Sequence, residues 1–138
     1  MTPVVLDASA VLAYLHGEPG WTTVENALIT QACAVTAANQ AEIVARSLER
    51  GVAPDVVMTI LAELGYAVID ITAIDGQEAG MLRPATRSHG LSLGDRLCLS
   101  VARRINAAVL TADRPWLDLA GALGLDIQCI RPDSHRRP

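Results

Sequence analysis

Four acidic residues, Asp7, Glu42, Asp95 and Asp113, occupy positions where an unpaired negative charge is costly. Asp7 and Asp113 each follow a run of apolar residues, whereas Glu42 and Asp95 lie in the first turns of two amphipathic helical patterns. Such carboxylates become stable when a positive partner joins them, and hard divalent cations prefer oxygen ligands of this kind. These residue types therefore predict a metal site, provided that the fold brings the four side chains together.

The elements that must position these acids alternate between strands and helices. Short apolar runs rich in β-branched residues predict five strands, at residues 4–7, 32–36, 67–71, 107–111 and 126–130. Helical periodicity lies between them, near residues 9–16, 20–30, 38–50, 54–64, 75–88, 94–105 and 115–122. This alternation predicts one α/β domain over residues 1–138, with a central, mostly parallel five-stranded sheet. The polar tail, residues 131–138, is expected to be loosely ordered.

Strand direction places the four acids at one edge of this sheet. Asp7 and Asp113 follow the carboxyl ends of their strands, and the helices that carry Glu42 and Asp95 begin at that same edge. Open α/β sheets bind their ligands there. Each acid also has a local explanation, since Asp7 or Asp95 can cap a helix and Asp113 can open a turn. Glu42 can form a surface pair with Arg46 one helical turn later.

The helices that carry Glu42 and Asp95 also predict which side chains are buried. In residues 38–50 the helical spacing predicts a buried stripe beside Glu42, made of Ala41, Val44, Ala45 and Leu48. In residues 94–105 the predicted buried residues are Cys98, Val101, Ala102 and Ile105. The residues predicted to face solvent there are Arg96, Ser100, Arg103 and Arg104. Asp95 precedes Cys98 by three residues and is therefore expected to face inward.

Two hydroxyl residues, Ser9 and Thr111, stand two positions from Asp7 and Asp113. Their side chains suit hydrogen bonding to the carboxylates, and helix capping or strand preference explains them equally well. The three histidines show no ligand spacing with one another or with cysteine, so no transition-metal site is predicted.

The distribution of charge is more informative than the net charge of −4. All eleven basic residues are arginine, and all lie from Arg46 onward. Two explanations fit six of them equally well: a basic surface for nucleic acid, or an ordinary solvated helix surface. These six are Arg83, Arg87, Arg96, Arg103, Arg104 and Arg114.

Cellular location is predicted from what the sequence lacks. No apolar run approaches the length needed to cross a bilayer, and the N-terminus has no basic region before its apolar stretch. We therefore expect a cytoplasmic protein that does not bind membranes. The three cysteines are far apart in apolar stretches and are expected to be buried free thiols.

Three segments taken together resemble the PIN domain family. They are Val4-Val5-Leu6-Asp7-Ala8-Ser9-Ala10, the segment from Ser92 to Ala102 around Asp95, and Val109-Leu110-Thr111-Ala112-Asp113. With Glu42 between the first two, they are most similar to the VapC-type toxins of toxin–antitoxin pairs, over residues 4–132. The resemblance implies a PIN-like three-layer α/β/α sandwich. It also implies an acidic pocket that holds Mg²⁺ or Mn²⁺ through Asp7, Glu42, Asp95 and Asp113.

The resemblance further implies a metal-dependent endoribonuclease that hydrolyses RNA phosphodiester bonds. Such a protein forms homodimers and is neutralised by a protein antitoxin, with which it forms a hetero-oligomer. Asp7 and Asp95 match the principal metal ligands, whereas Asp118 is better explained as a helix-surface residue. The residues just before Glu42 lack the small hydroxyl residue often found in the family.

Two alternatives within the family stay open: a PIN nuclease that processes RNA without being a toxin, and a catalytically inactive binding module. Other proteins with an acidic residue at a strand end are excluded on sequence. A phosphorylated receiver domain requires a lysine near its acidic pocket, and this chain contains none. Neither a P-loop nor a G-x-G-x-x-G motif is present.

Overall fold

The computed structural model describes residues 2–132, which contain one five-stranded sheet. Its strands are β1 (Val4–Leu6), β2 (Cys33–Thr36), β3 (Ala67–Ile69), β4 (Val109–Thr111) and β5 (Ile127–Cys129). They lie in the order β3-β2-β1-β4-β5, and all four pairings are parallel. Each predicted strand is present and is slightly shorter than expected. The predicted fold class is confirmed.

Helices connect the strands and cover both faces of the sheet. After β1 come α1 (Ala8–His16) and α2 (Trp21–Thr30), and after β2 come α3 (Ala37–Glu49) and α4 (Pro54–Leu64). The connection from β3 to β4 contains α5 (Ala73–Met81), α6 (Arg83–Thr86), a 3-10 turn (Arg87–His89) and α7 (Leu93–Ile105). A second 3-10 turn (Arg114–Leu119) and α8 (Ala120–Leu123) precede β5.

Two hydrophobic clusters lie on opposite faces of the sheet, because successive side chains of β1 point in opposite directions. On one face Leu6 packs with residues of α1 to α4, among them Val11 and Ile43. On the other face Val5 packs with α7 and the segment after β4, including Leu99 and Trp116. The molecule therefore has the three layers, helix, sheet and helix, that were expected of it.

Two predicted helices are divided in the structure. The helix predicted near residues 75–88 is broken into α5, α6 and a 3-10 turn, and the one near 115–122 begins as a 3-10 turn. Pro84 and Pro115 stand in the first turn of the new segments. Proline has no N–H to continue a preceding helix, whereas its fixed φ suits a helix start.

The predicted buried stripe of α3 is wrong. The buried residues are Asn39, Ile43 and Ser47, and only one of the four predicted residues is even partly buried. The predicted set, Ala41, Val44, Ala45 and Leu48, is exposed except for Val44. Two polar side chains are buried because they have partners: Ser47 Oγ donates to the Ile43 carbonyl (2.9 Å), and the Asn39 amide donates to Glu42 Oε1 (2.7 Å).

Three residues of α7 also differ from the prediction. Ser100 is buried and Arg96 is partly buried, although both were predicted to face solvent, and Ile105 is only partly buried. The Ser100 hydroxyl donates to the Arg96 carbonyl (2.9 Å), and the Arg96 guanidinium donates to the Ala79 carbonyl of α5 (2.9 Å). The other predictions for this helix are confirmed: Cys98, Val101 and Ala102 are buried, and Arg103 and Arg104 are exposed.

The remaining predictions concern the cysteines, the tail and membranes. All three cysteines are free thiols; Cys33 and Cys98 are buried as predicted, whereas Cys129 is partly exposed. Most of the predicted loose tail, residues 133–138, lies outside the described residues, and the domain boundary 1–138 stays a prediction. Within residues 2–132, none of the helices combines the length and the apolar character that crossing a bilayer requires.

Candidate active site

Asp7 is the most deeply buried of the four acids, with 1% of its surface exposed. It follows β1 directly and caps α1, because its Oδ1 accepts the backbone N–H of Ala10 (2.8 Å). Two hydroxyls donate to the same carboxylate: Thr111 Oγ1 lies 2.6 Å from Oδ2, and Ser9 Oγ lies 2.8 Å from Oδ1. The capping explanation of Asp7 is correct, but capping accounts for only one of these contacts.

The backbone at the end of β4 fixes the direction of these two hydroxyls. Ser9 Oγ accepts the N–H of Ala112 (2.9 Å), and Thr111 Oγ1 accepts the N–H of Asp113 (3.0 Å). A hydroxyl that accepts an N–H is left with its own hydrogen to donate, and here the Asp7 carboxylate receives it. The ends of β1 and β4 are thus bonded to each other through side chains that are 104 residues apart.

Burial changes the acidity of Asp7. It raises the pKa of this carboxyl from 3.8 to about 7, although hydrogen bonds from Thr111, Ala10 and Ser9 act in the opposite direction. The negative charge of Asp95 is a smaller contribution to the same rise. Near neutral pH the Asp7 carboxyl therefore holds a proton in a large part of the molecules, and a cation beside it would displace that proton.

Asp95 lies in the first turn of α7 and forms a capping box with Ser92. Its Oδ2 accepts the N–H of Ser92 (2.9 Å), and its own N–H donates to Ser92 Oγ (3.2 Å). Burial raises the pKa of Asp95, and the charges of Glu42 and Asp113 raise it further. These influences show that the acids of α3, α7 and the end of β4 share one region.

Glu42 is held against the start of α7. Asn39, which is fully buried, donates from its Nδ2 to Glu42 Oε1 (2.7 Å) and lies 3.4 Å from the Gly94 carbonyl oxygen. Any side chain at position 94 would overlap the Glu42 carboxylate. In the described part of the chain Glu42 forms no ion pair with Arg46, so the surface-pair explanation is wrong.

A pocket of about 180 Å³ lies at this edge of the sheet. It is lined by Asp7, Ser9, Asp95, Ala112, Asp113 and Arg131. Three of the four predicted acids therefore meet in one pocket, while Glu42 lies beside them against Gly94 rather than in the lining. No three His, Cys, Asp or Glu side chains within residues 2–132 are close enough to enclose a metal ion by themselves.

The donor atoms of this pocket nevertheless suit a hard divalent cation. They are carboxylate and hydroxyl oxygens, and an ion such as Mg²⁺ commonly keeps several water ligands while binding only one or two carboxylates. The raised pKa of Asp7 and of Asp95 adds a second argument, because a cation would relieve the cost of charging both groups. The residues therefore fit a metal bound partly through water.

Two residues at the site were not predicted from the sequence. Asn39 had a usable signal, since it stands one helical turn before Glu42. Arg131 had none, because it follows the last strand in a segment expected to be loosely ordered. Asp118, by contrast, is an exposed surface residue 3.9 Å from His89, as the sequence favours.

Internal contacts engage several of the six arginines for which a basic surface and a solvated surface were equally good explanations. The Arg104 guanidinium pairs with Asp75 (2.9 Å), and Arg96 bonds to α5. Arg114 donates to the Arg131 carbonyl (2.8 Å). Half of the six arginines therefore serve the fold, which favours neither a continuous basic surface nor a purely solvated one.

Comparisons with known proteins agree with this architecture. Residues 4–122 match the family model of the PIN domain, and no curated protein matches the chain. A toxin–antitoxin complex from Klebsiella pneumoniae has a similar fold, with a TM-score of 0.70 and 15% identity over 94% of this chain and 99% of that chain. VapBC2 from Rickettsia felis, bound to a promoter DNA fragment, gives a TM-score of 0.69 and 17% identity over 91% and 97%.

DNA-bound VapBC from Salmonella typhimurium is similar to the same degree, with a TM-score of 0.69 and 15% identity over 94% of this chain and 99% of that chain. At such identities the solved structures show a common fold. The family match covers most of the chain and includes β1, α3, α7 and β4, the elements that carry the four acids. The chain therefore belongs to the PIN domain family.

Proposed function

We propose that the protein is a metal-dependent endoribonuclease and the toxin of a toxin–antitoxin pair. The observation that carries the proposal is the buried Asp7 carboxylate, which is held by two oriented hydroxyls beside Asp95 and Asp113. A structural cap would not need this second set of donors or these neighbouring acids. Membership of the PIN domain family supports hydrolysis of a phosphodiester as the reaction.

We assign a role in the reaction to each acidic residue from its surroundings. Asp7 and Asp95 are proposed to hold the cation, Mg²⁺ or Mn²⁺, because their charge is the most costly without one. When bound, the cation supplies positive charge for the phosphate oxygens and lowers the pKa of water. Asp113 does not use its side chain to cap the turn that it opens. Its carboxylate is therefore free to accept the proton of the attacking water, or to help hold a second ion.

Glu42 is proposed to act next to Asp95. Its Oε1 is already held by the Asn39 amide, which fixes the side chain and leaves Oε2 for a water molecule or a second cation. The Ser9 and Thr111 hydroxyls keep Asp7 in place throughout the reaction. Because RNA is the proposed substrate, the cytoplasm is the proposed place of action.

The proposed partner is an antitoxin. The solved structures with this fold include a toxin–antitoxin complex from Klebsiella pneumoniae and VapBC complexes from Rickettsia felis and Salmonella typhimurium. By analogy with them, we propose that this chain forms a complex with a protein encoded beside it. We also propose that it forms a homodimer.

Cleavage of purified cellular RNA with Mn²⁺ or with EDTA tests the enzymatic part. We expect cleavage only with the metal, and a loss of about 10²-fold or more in Asp95→Asn, because one metal-binding charge is removed. The amide oxygen of asparagine can still accept the Ser92 N–H, so the variant should fold. Asp118→Asn is the matched control, since it removes an exposed carboxylate that does not line the pocket. Full cleavage in EDTA, or by folded Asp95→Asn, would show that the proposal is wrong.

Expression in a growing culture tests the biological part. Growth arrest by the wild type, absence of arrest with Asp95→Asn, and relief when the neighbouring gene is co-expressed are the expected results. Metal-dependent cleavage without growth arrest would instead identify a nuclease of RNA processing. RNA binding without cleavage would identify an inactive binding module.

Gly94→Ala is expected to lower cleavage without unfolding the protein. The new methyl group overlaps the Glu42 carboxylate, which is the flexible end of a side chain and moves more easily than backbone. Displacing this carboxylate should reduce kcat about tenfold or more, whereas the melting temperature should change little. Gly80→Ala, in α5 with nothing within 4 Å of the added group, is the control. A kcat equal to that of the wild type would show that the position of Glu42 is not important.

A further inference from the structure

Arg131 is a cationic side chain at the mouth of an acidic pocket. Among the described residues it is the one arginine that lines the pocket together with Asp7, Asp95 and Asp113. An acidic pocket repels a polyanion unless positive charge lies close by. The position of Arg131 is therefore electrostatically important for any phosphate-bearing ligand that approaches these acids.

The backbone on both sides of this side chain is firmly held. The N–H of Ile130 donates to the Thr111 carbonyl (2.8 Å), which continues the pairing of β5 with β4. Arg114 donates from Nη2 to the carbonyl oxygen of Arg131 (2.8 Å). Gly20 packs so closely on Ile130 that an added Cβ would lie 2.5 Å from its carbonyl oxygen. Arg131 therefore projects from a defined position although it is near the end of the described chain.

The guanidinium itself is weakly engaged. Its side chain is 47% exposed, and its ion-pair partner Glu18 lies 3.7 Å away with 44% exposure. Exposed pairs of this kind contribute little and are easily exchanged. Arg96 and Arg104, in contrast, are bonded to α5 and the residues before it. Arg131 thus combines a fixed backbone with a guanidinium that is available to a ligand.

We propose that Arg131 binds a backbone phosphate of the RNA strand adjacent to the phosphate that is cleaved. This inference rests on the proposed ribonuclease function and adds a substrate-binding residue to it. The guanidinium presents two parallel N–H donors that match two phosphate oxygens. On binding, it leaves Glu18 for the phosphate and so holds the strand at the edge of the pocket.

Kinetics with a single-stranded RNA oligonucleotide and Mn²⁺ test this proposal, using Arg131→Gln and Arg131→Lys. For Arg131→Gln we expect KM to rise about tenfold with little change in kcat, because a charge-assisted contact to the substrate is lost. The slope of log KM against log salt concentration should fall by about 0.7, the value for one phosphate contact on a single strand. Arg131→Lys should keep the salt slope of the wild type. Its KM should lie between those of the wild type and Arg131→Gln, because lysine lacks the two parallel N–H donors of arginine.

Arg50→Gln is the matched control, since Arg50 is an exposed arginine at the far end of α3 from the pocket. It should leave both KM and the salt slope unchanged. If folded Arg131→Gln had the KM and the salt slope of the wild type, the proposed role of Arg131 would be wrong. Cleavage by the wild type in the same assay would still support the proposed function. The proposed role of Arg131 would also be wrong if Arg131→Gln weakened only the inhibition by the antitoxin, since that would assign Arg131 to the protein partner.

A binding measurement keeps the two proposals separate if the wild type does not cleave. Fluorescence anisotropy of a labelled RNA oligonucleotide should then still show weaker binding by Arg131→Gln than by Arg50→Gln. The absence of cleavage would reject the ribonuclease function, whereas the weaker binding by Arg131→Gln would retain the phosphate contact. Equal binding by the two variants would reject the phosphate contact as well.

Discussion

If the proposed function is correct, replacing Asp7 with asparagine will greatly reduce RNA cleavage. In the metal-free protein, the same change will remove a loss of stability that the wild type suffers as the pH rises. The loss of cleavage should reach about 10³-fold, because Asp7 is a proposed metal ligand and such a ligand contributes several kcal/mol to the transition state. Asparagine keeps the shape of aspartate and can still accept the Ala10 N–H that starts α1. The variant should therefore fold and fail only in its chemistry.

The pH dependence follows from the raised pKa of Asp7. This pKa is about 7 in the folded protein and near 3.8 in an unfolded chain, so the folded state binds the proton more tightly. Stability from the protonated form is fully present below about pH 4 and is lost as the pH rises through 7. A shift of this size corresponds to a loss of up to roughly 4 kcal/mol in the metal-free protein above pH 7. Because asparagine does not ionise, the Asp7→Asn variant should not lose this stability as the pH rises.

Melting curves of the metal-free proteins between pH 5 and pH 8.5, with and without added Mn²⁺, measure this effect. The melting temperature of the wild type should fall across this range and should rise again when Mn²⁺ is added. The melting temperature of Asp7→Asn should fall less and should not change with Mn²⁺. Asp118→Asn should behave like the wild type, because Asp118 is exposed. A parallel fall for wild type and Asp7→Asn would mean that Asp7 is not the group responsible.

The largest loss of stability is expected from Gly20→Ala. Gly20 has a φ of +95°, which an L side chain adopts only with strain, and the new Cβ would lie 2.5 Å from the Ile130 carbonyl oxygen. The strain lies in the backbone of Gly20, and the new Cβ clashes with the carbonyl group of Ile130 as well as with its side chain, so moving a side chain aside cannot relieve the clash. Together they should cost about 3 kcal/mol or more and lower the melting temperature by about 10 °C.

Gly65→Ala separates the two causes. Gly65 also has a positive φ, +76°, but nothing lies within 4 Å of its added Cβ, so this variant reports strain alone. Thermal unfolding of the two variants side by side should show Gly20→Ala as clearly the less stable. Equal melting temperatures would mean that the contact between the start of α2 and the end of β5 is not tight.

Much of the fold follows from the sequence because its strands are marked by local signals. Runs such as Val4–Leu6 are apolar on both faces and are followed at once by helix-capping residues. The errors arose where polar side chains are buried. Ser47 and Ser100 bond to carbonyls one turn earlier in their own helices, which lets them enter the interior. Apolar periodicity cannot detect such residues.

In the candidate site, too, some features follow from the sequence pattern and others do not. Strand direction was sufficient to bring Asp7, Asp95 and Asp113 to one edge, because parallel strands end together. The contact of Glu42 with Gly94 depends on how α3 packs on α7, and the approach of Arg131 depends on a bond from Arg114 to a later carbonyl. Both are tertiary contacts between distant segments, and neither leaves a periodic pattern in the sequence.

The hydrogen bond between Thr111 and Asp7 has a consequence for how the protein is made. β1 lies in the middle of the sheet, with β2 on one side and β4 on the other. The pocket therefore requires both Asp7, which follows β1, and Thr111, at the end of β4, which are 104 residues apart in the chain. While a ribosome is still translating α7, Asp7 has neither its Thr111 donor nor Asp113 beside it. On the proposed function, the site is therefore incomplete through most of the synthesis of the chain, and cleavage of RNA is expected only after β4 has joined β1.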